Sequence, residues 1–141
     1  MLNGQKSGFI SVTSGVPQGS MLGSLLFTMF VNDIPSTVSS STFMFADDTK
    51  IFRFVRNSDD HATLQNDLNL LHEWTVRWQL KFNDSKCKHV HLGPVHQFGS
   101  YYLNGIMIDS VGSQKDLGIL FDHQLKFHSH TIDVTAKANW D

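Results

Sequence analysis

The sequence predicts an α+β fold: an antiparallel sheet with helices packed on one of its faces. Three observations point that way. Two stretches carry apolar residues at helical spacing, around 21–31 and 58–78. Several short runs rich in β-branched and aromatic residues are separated by turn residues rather than by helix-length connections, which favours antiparallel pairing. The order is strand, helix, hairpin, helix, then strands, without the regular strand–helix alternation of a parallel sheet.

The elements follow in sequence. Asn3-Gly4 is a favoured two-residue turn, and Phe9-Ile10-Ser11-Val12 reads as a short strand after it. The loop Thr13-Ser14-Gly15-Val16-Pro17-Gln18-Gly19-Ser20 leads to Met21, Leu22, Leu25, Leu26, Met29 and Phe30, which share helical spacing. Ser20 is positioned to cap this helix, Asn32-Asp33-Ile34-Pro35 to end it, and its apolar character suggests a core helix. The serine-rich stretch 36–42 is short enough for a loop inside one domain. Phe43-Met44-Phe45 and Ile51-Phe52-Arg53-Phe54-Val55 flank Ala46-Asp47-Asp48-Thr49, a hairpin with two acids at its tip.

Ser58 is a candidate cap for the second helix, with Asp59 and Asp60 opposing its dipole. Leu64, Leu68, Leu71, Thr75 and Trp78 form its stripe with Trp74 alongside, and both tryptophans are expected in the core. Beyond the turn Asn83-Asp84-Ser85, residues 87–92 alternate as a strand, with Cys87, His89 and His91 on one face. Those three soft ligands fall short of the four a structural zinc takes, so strand alternation is the preferred reading. Tyr101-Tyr102-Leu103, Asn104-Gly105 and Ile106-Met107-Ile108 make another hairpin, Leu117 to Phe121 a strand, and a helix begins near His128. His128 and His130 are expected on the surface.

Composition bounds the function. A chain of 141 residues, 40% hydrophobic and 17% charged, is sufficient for one globular domain with a core. A net charge of -2, from 11 basic and 13 acidic side chains, is unlike a free-standing nucleic-acid binder, which gains affinity by neutralising phosphates. One cysteine, Cys87, excludes an internal disulfide. The N-terminal residues lack the apolar stretch of a secretory signal, and the run Met21 to Val31 is shorter than the roughly 20 residues a membrane span needs. A soluble, intracellular protein, cytoplasmic or nuclear and without membrane contact, is therefore expected.

The chemistry concentrates in two places. Adjacent ionised carboxylates repel, and a divalent cation with a preference for hard oxygen ligands removes the conflict. Asp47 and Asp48 therefore suggest metal-assisted phosphoryl transfer, although aspartate is also simply a good turn residue. The apolar neighbours Phe43-Met44-Phe45 and Ile51-Phe52 weigh against a purely solvated turn. In the second place, Ser14 to Ser20, the glycines allow close backbone approach and a helix N-terminus follows, which suits phosphate; a capped structural loop explains the same residues.

The residues of these two places, with others in order, resemble a known family. Thr13-Ser14-Gly15-Val16-Pro17-Gln18-Gly19-Ser20, then Leu22-Gly23, Leu25-Leu26-Phe27 and Asn32-Asp33-Ile34-Pro35, resemble motif B of the reverse transcriptases of non-LTR (LINE-type) retrotransposons. Phe45-Ala46-Asp47-Asp48-Thr49 resembles their motif C. Leu64-Gln65-Asn66-Asp67-Leu68 with Trp74, Trp78-Gln79-Leu80-Lys81-Phe82-Asn83 and Lys86-Cys87 resembles the motif D region. Lys115-Asp116-Leu117-Gly118-Ile119 with Asp122, Leu125-Lys126-Phe127 and His130 resembles the later strand-and-grip region entering the thumb. The likeness covers nearly the whole chain.

The resemblance implies a partial polymerase palm over residues 1–127 and the start of a thumb over 128–141. It implies an RNA-directed DNA polymerase using two Mg²⁺ ions, with Asp47 as a direct ligand and Asp48 as a second acid. Pro17, Gln18, Gly19 and Phe45 would lie near the template and incoming nucleotide, and Lys86 would assist pyrophosphate departure. The implied partners are an RNA template, a DNA primer, dNTPs and the rest of a retroelement polyprotein. The family's motif A, which brings another metal-binding aspartate, precedes motif B and would lie before Met1. The chain by itself is therefore expected to be inactive or nearly so. A catalytically dead remnant acting as a binding or interaction module stays open beside the enzyme reading.

Overall fold

The computed structural model describes Ser11 and residues 19–93 and 99–138. The turn read at Asn3-Gly4, the loop from Thr13 through Gln18 and all but Ser11 of the first strand lie outside the described residues. The chain divides into two units, Met1–Asp33 and Ile34–Asp141.

The first unit contains helix α1, Met21–Val31. It starts where the sequence places it, because the Ser20 hydroxyl accepts from Gly23 N at 3.3 Å and satisfies one of the first-turn amides. The expected burial does not follow. Met21, Leu22, Leu25, Leu26, Met29 and Phe30 are all exposed, and only Gly23 and Val31 of this helix are buried. Helical periodicity gives the stripe, but α1 is the sole element among the described residues of its unit, so no second element is described there to cover it.

The second unit opens with a short helix α2, Ile34–Thr37, where the sequence suggested only a stop. Pro35 cannot continue α1, yet its fixed φ suits the first turn of a new helix. Ile34 is 1% exposed. Strand β1, Ser41–Phe45, pairs antiparallel with β2, Asp48–Phe52. The second strand ends at Phe52 rather than Val55, because residues 53–56 turn toward helix α3, Ser58–Trp78. There the Arg53 guanidinium donates to Ser39 Oγ at 3.3 Å and its Nε lies 3.8 Å from Asp60. The cap of α3 is Asn57, one residue before the expected Ser58: its side chain accepts from Asp60 N at 2.9 Å. Asp60 in turn accepts from Arg56 N at 3.0 Å, a reciprocal arrangement like a capping box.

One face of α3 makes the core. Leu71, Trp74 and Thr75 are buried, while Leu64 and Leu68 pack on Tyr101, Leu103 and Ile108 together with Phe82 and Cys87. Trp78 departs from expectation. It is 42% exposed at the last turn, where Gln79 takes a left-handed φ of 56° and ends the helix.

The remaining strands are short. β3 (Lys88–His89) pairs parallel with β6 (Asp109–Ser110), β4 (Tyr102–Leu103) antiparallel with β5 (Ile106–Met107), and β7 (Ser113–Asp116) antiparallel with β8 (Ile119–Asp122). The architecture is α+β, but the described residues form four two-stranded sheets rather than one, and one pair is parallel. Tight turns at Asn104-Gly105 and Leu117-Gly118 pair β4 with β5 and β7 with β8, each strand with its neighbour in sequence. Leu117, read as a strand start, is a turn residue with φ 46°. The strand read over 87–92 shrinks to β3, since Cys87 Sγ turns to the Asn83 carbonyl at 3.4 Å and His89 stands edge-on to the Tyr101 ring at 5.2 Å. Helix α4, His128–Ala138, packs on β8, and His130 Nδ1 accepts from Leu120 N at 3.3 Å, so His130 is half-buried rather than on the surface.

Asp67 fastens these parts together. It lies in the middle of α3, is 1% exposed, and its carboxylate accepts from Ser39 N and Ser40 N, both at 2.9 Å, and from both serine hydroxyls. The serine-rich stretch is therefore a set of donors joining α3 to the start of β1. Burial alone would raise the Asp67 pKa, but the hydrogen bonds from the Ser40 hydroxyl and the two backbone amides outweigh it and hold the group below its ordinary value. A depressed pKa means that the stabilisation is complete above the ordinary value of 3.8 and is lost as pH falls through the folded value. Substituting Asp67→Asn is expected to cost on the order of 3 kcal/mol at neutral pH, measured by urea unfolding. The gap between variant and wild type should narrow below about pH 4.

Candidate active site

The β1–β2 hairpin is built by a two-residue turn. Phe45 pairs with Asp48, which leaves Ala46 and Asp47 as the turn residues. Asp47 therefore sits in the bend, whereas Asp48 is already the first residue of β2; the sequence had put both at the tip. Ala46 has a φ of 53°, a conformation that tight hairpins usually give to glycine or asparagine.

Alternation along the strands sorts the side chains. Paired residues share a face, so Ser41, Phe43, Phe45, Asp48, Lys50 and Phe52 lie on one side and Thr42, Met44, Thr49 and Ile51 on the other. The Phe43 and Phe52 rings confirm the grouping, stacked at 5.0 Å and 9°. Phe43, Phe45 and Phe52 remain 61%, 60% and 46% exposed, so this face is an apolar platform ending in an acid.

Asp47 and Asp48 are both exposed, and among the described residues neither carboxylate makes a hydrogen bond or ion pair. Two adjacent, uncommitted carboxylates are the donor type that a hard divalent cation takes. The set is right in kind and incomplete in number: no group of three or more His, Cys, Asp or Glu that could hold a metal occurs among the described residues.

The other sequence candidates are placed as follows. Phe45 closes the hairpin beside Asp48. Lys86 is exposed in the 3-10 turn Asp84–Lys86, and no hydrogen bond or ion pair joins it to Asp47 or Asp48. Gly19, in the first unit, has a φ of 78°, and a Cβ placed on it would meet nothing within 4 Å. Pro17 and Gln18 lie outside the described residues. Sequence reading passed over Lys50, which pairs with Asp116 of β7 at 2.5 Å; strand alternation from Asp48 was the signal that could have found it.

Comparison with known proteins bears on what such a hairpin serves. The family model described as reverse transcriptase (RNA-dependent DNA polymerase) matches residues 1–133. The chain is 28% identical to the RNA-directed DNA polymerase from mobile element jockey of Drosophila funebris, over 98% of the chain and 17% of that protein. It is 31% identical to the probable RNA-directed DNA polymerase from transposon X-element of Drosophila melanogaster, over 90% of the chain and 15% of that protein. A 33% identity to the corresponding protein of transposon BS covers 88% of the chain. The chain thus spans about one sixth of the length of the curated relatives it matches. No solved structure matches it.

Because Asp47 and Asp48 have no partner among the described residues, Asp47→Asn and Asp48→Asn are expected to change unfolding stability by less than about 0.5 kcal/mol. Relieving the left-handed alanine with Ala46→Gly should stabilise the chain by about 1 kcal/mol, read as a shifted urea midpoint at constant slope.

Proposed function

Since the chain belongs to the reverse transcriptase family, we propose that it provides part of the catalytic palm of a non-LTR retrotransposon RNA-directed DNA polymerase. The observation that carries this reading is the pair of exposed, unpartnered carboxylates held at the end of a tight hairpin. In this reading residues 1–127 belong to the palm and 128–141 begin the thumb. The substrates are an RNA template, a DNA primer and dNTPs, and the relatives' length suggests a larger polyprotein around it.

The residues take distinct parts. Asp47 in the bend and Asp48 at the head of β2 would hold Mg²⁺ together with ligands from elsewhere in the polymerase. Bound there, Mg²⁺ supplies the charge neutralisation that a primer 3′-oxygen and a departing pyrophosphate require. The hairpin's ladder from Ser41–Phe52 to Phe45–Asp48 fixes where the carboxylates stand, so little reorganisation is needed when substrate arrives. Phe45, on the same face as Asp48, offers an apolar surface to a sugar or base edge. Gly19, with Pro17 and Gln18, would serve template and nucleotide. Lys86 is kept as a helper of pyrophosphate departure only through its position in the motif, since no contact links it to the acids.

A catalytically inactive remnant acting as a binding or interaction module is the competing reading, favoured by the fact that among the described residues no third His, Cys, Asp or Glu groups with Asp47 and Asp48 as a metal-holding set. Templated primer extension with Mg²⁺ separates the two. The native polypeptide that carries this chain should extend a primer, and Asp47→Asn within it should lower kcat by at least about a thousandfold with the fold intact. Wild-type extension that survives this substitution would refute the assignment. The 141-residue chain alone should show no templated extension, because two carboxylates leave the metals short of ligands.

A further inference from the structure

Lys50 poses a problem for the site just described. It lies two residues beyond Asp48 on β2 and on the same face, a separation of about 6.7 Å along a strand. A lysine side chain spans that distance. Left to itself, its ammonium would settle on the Asp48 carboxylate and repel a divalent cation arriving there.

The structure shows it drawn elsewhere. Lys50 Nζ lies 2.5 Å from Asp116 Oδ1, with the two side chains 38% and 29% exposed. Asp116 is the last residue of β7, 66 positions along the chain, immediately before the turn residues Leu117 and Gly118. That turn is an unrelaxed one: Leu117 holds a left-handed φ of 46° while 57% exposed, where asparagine would be at ease. The pair is thus a link between two hairpins, placed at the tip of one and beside the acids of the other. A half-exposed ion pair contributes little to folding, so stability is a poor reason for it.

We propose that Asp116 is a positioning residue for the acidic hairpin: by holding the Lys50 ammonium, it keeps Asp48 and Asp47 open to a divalent metal. The inference rests on the polymerase reading of Asp47 and Asp48. It assigns Lys50 and Asp116 a role that neither would show in a census of metal ligands.

The test uses Mn²⁺ as the probe and the 141-residue chain as it stands. Binding is read as paramagnetic broadening of the Asp47 and Asp48 amide signals in NMR titrations, with the remaining amide shifts reporting the fold. Asp116→Asn is expected to weaken Mn²⁺ binding roughly five- to tenfold, the effect of a released unit charge about 7 Å from a divalent ion in water. The double variant Lys50→Met/Asp116→Asn is expected to return to wild-type affinity. Lys50→Met alone should bind at least as tightly as wild type, which tests the idea even where Asp116→Asn disturbs the fold. Equal affinity of Asp116→Asn and wild type would overturn the proposal. So would a double variant that stays as weak as Asp116→Asn, since Asp116 would then act otherwise than through Lys50. Broadening that survives Asp47→Asn/Asp48→Asn would instead remove the metal site itself, and the proposal with it.

Discussion

A single buried carboxylate governs the second unit. Asp67 has almost no access to water, and an uncompensated charge in that position would be strongly unfavourable. Its compensation comes from two consecutive serines that lie 28 and 27 residues earlier and supply both backbone amides and both hydroxyls. Because β1 starts at Ser41, one residue after the second serine, the strand leaves α3 from a fixed point. The hairpin that ends in Asp47 and Asp48 therefore takes its origin from a helix interior. Arg53, the residue after the return strand, strengthens the same joint by donating to Ser39.

Much of this could be read from the residues in advance, for reasons that differ by element. The start of α1, the acidic hairpin and the Asn104-Gly105 hairpin rest on short-range rules of capping and turns, and these survived. What escaped was anything set by partners distant in the chain. Asp67 lies between Trp74 and Trp78 around α3, on its apolar side, but a charged side chain reads as solvent-facing until its serines are known. Trp78 shares the apolar stripe of α3 yet lies at its final turn, where the left-handed Gln79 leads the chain away. The length of β3 was overread because alternation alone cannot tell a strand from an extended segment whose side chains are claimed by Tyr101 and Asn83. At the candidate site the acids were legible and their division was not. One turn residue and one strand residue look identical in sequence, and only the Phe45–Asp48 pairing separates them.

The charges on the hairpin are arranged economically. Four of the six residues on the Asp48 face are an acid, a base and two stacked rings. The base is committed to another hairpin, and among the described residues neither Asp47 nor Asp48 makes a hydrogen bond or ion pair. On the proposed reading, folding and reactivity would draw on different residues: Asp67 with Ser39 and Ser40 for the first, the bend at Ala46-Asp47 for the second. Ala46 in that bend holds a left-handed φ of 53°, which glycine would adopt more easily.

Gln65 has a consequence of its own. From α3 its side-chain amide receives Tyr102 N and donates to Tyr102 O, both at 2.8 Å, so one side chain imitates the hydrogen-bonding edge of a neighbouring strand. A foreign β-segment approaching β4 at Tyr102 meets backbone groups that are already taken, and would have to displace a helix to add itself there. The helix thereby acts as a guard against self-association at that margin, a duty no acid or metal reveals, and one that asparagine at the same place would be too short to perform.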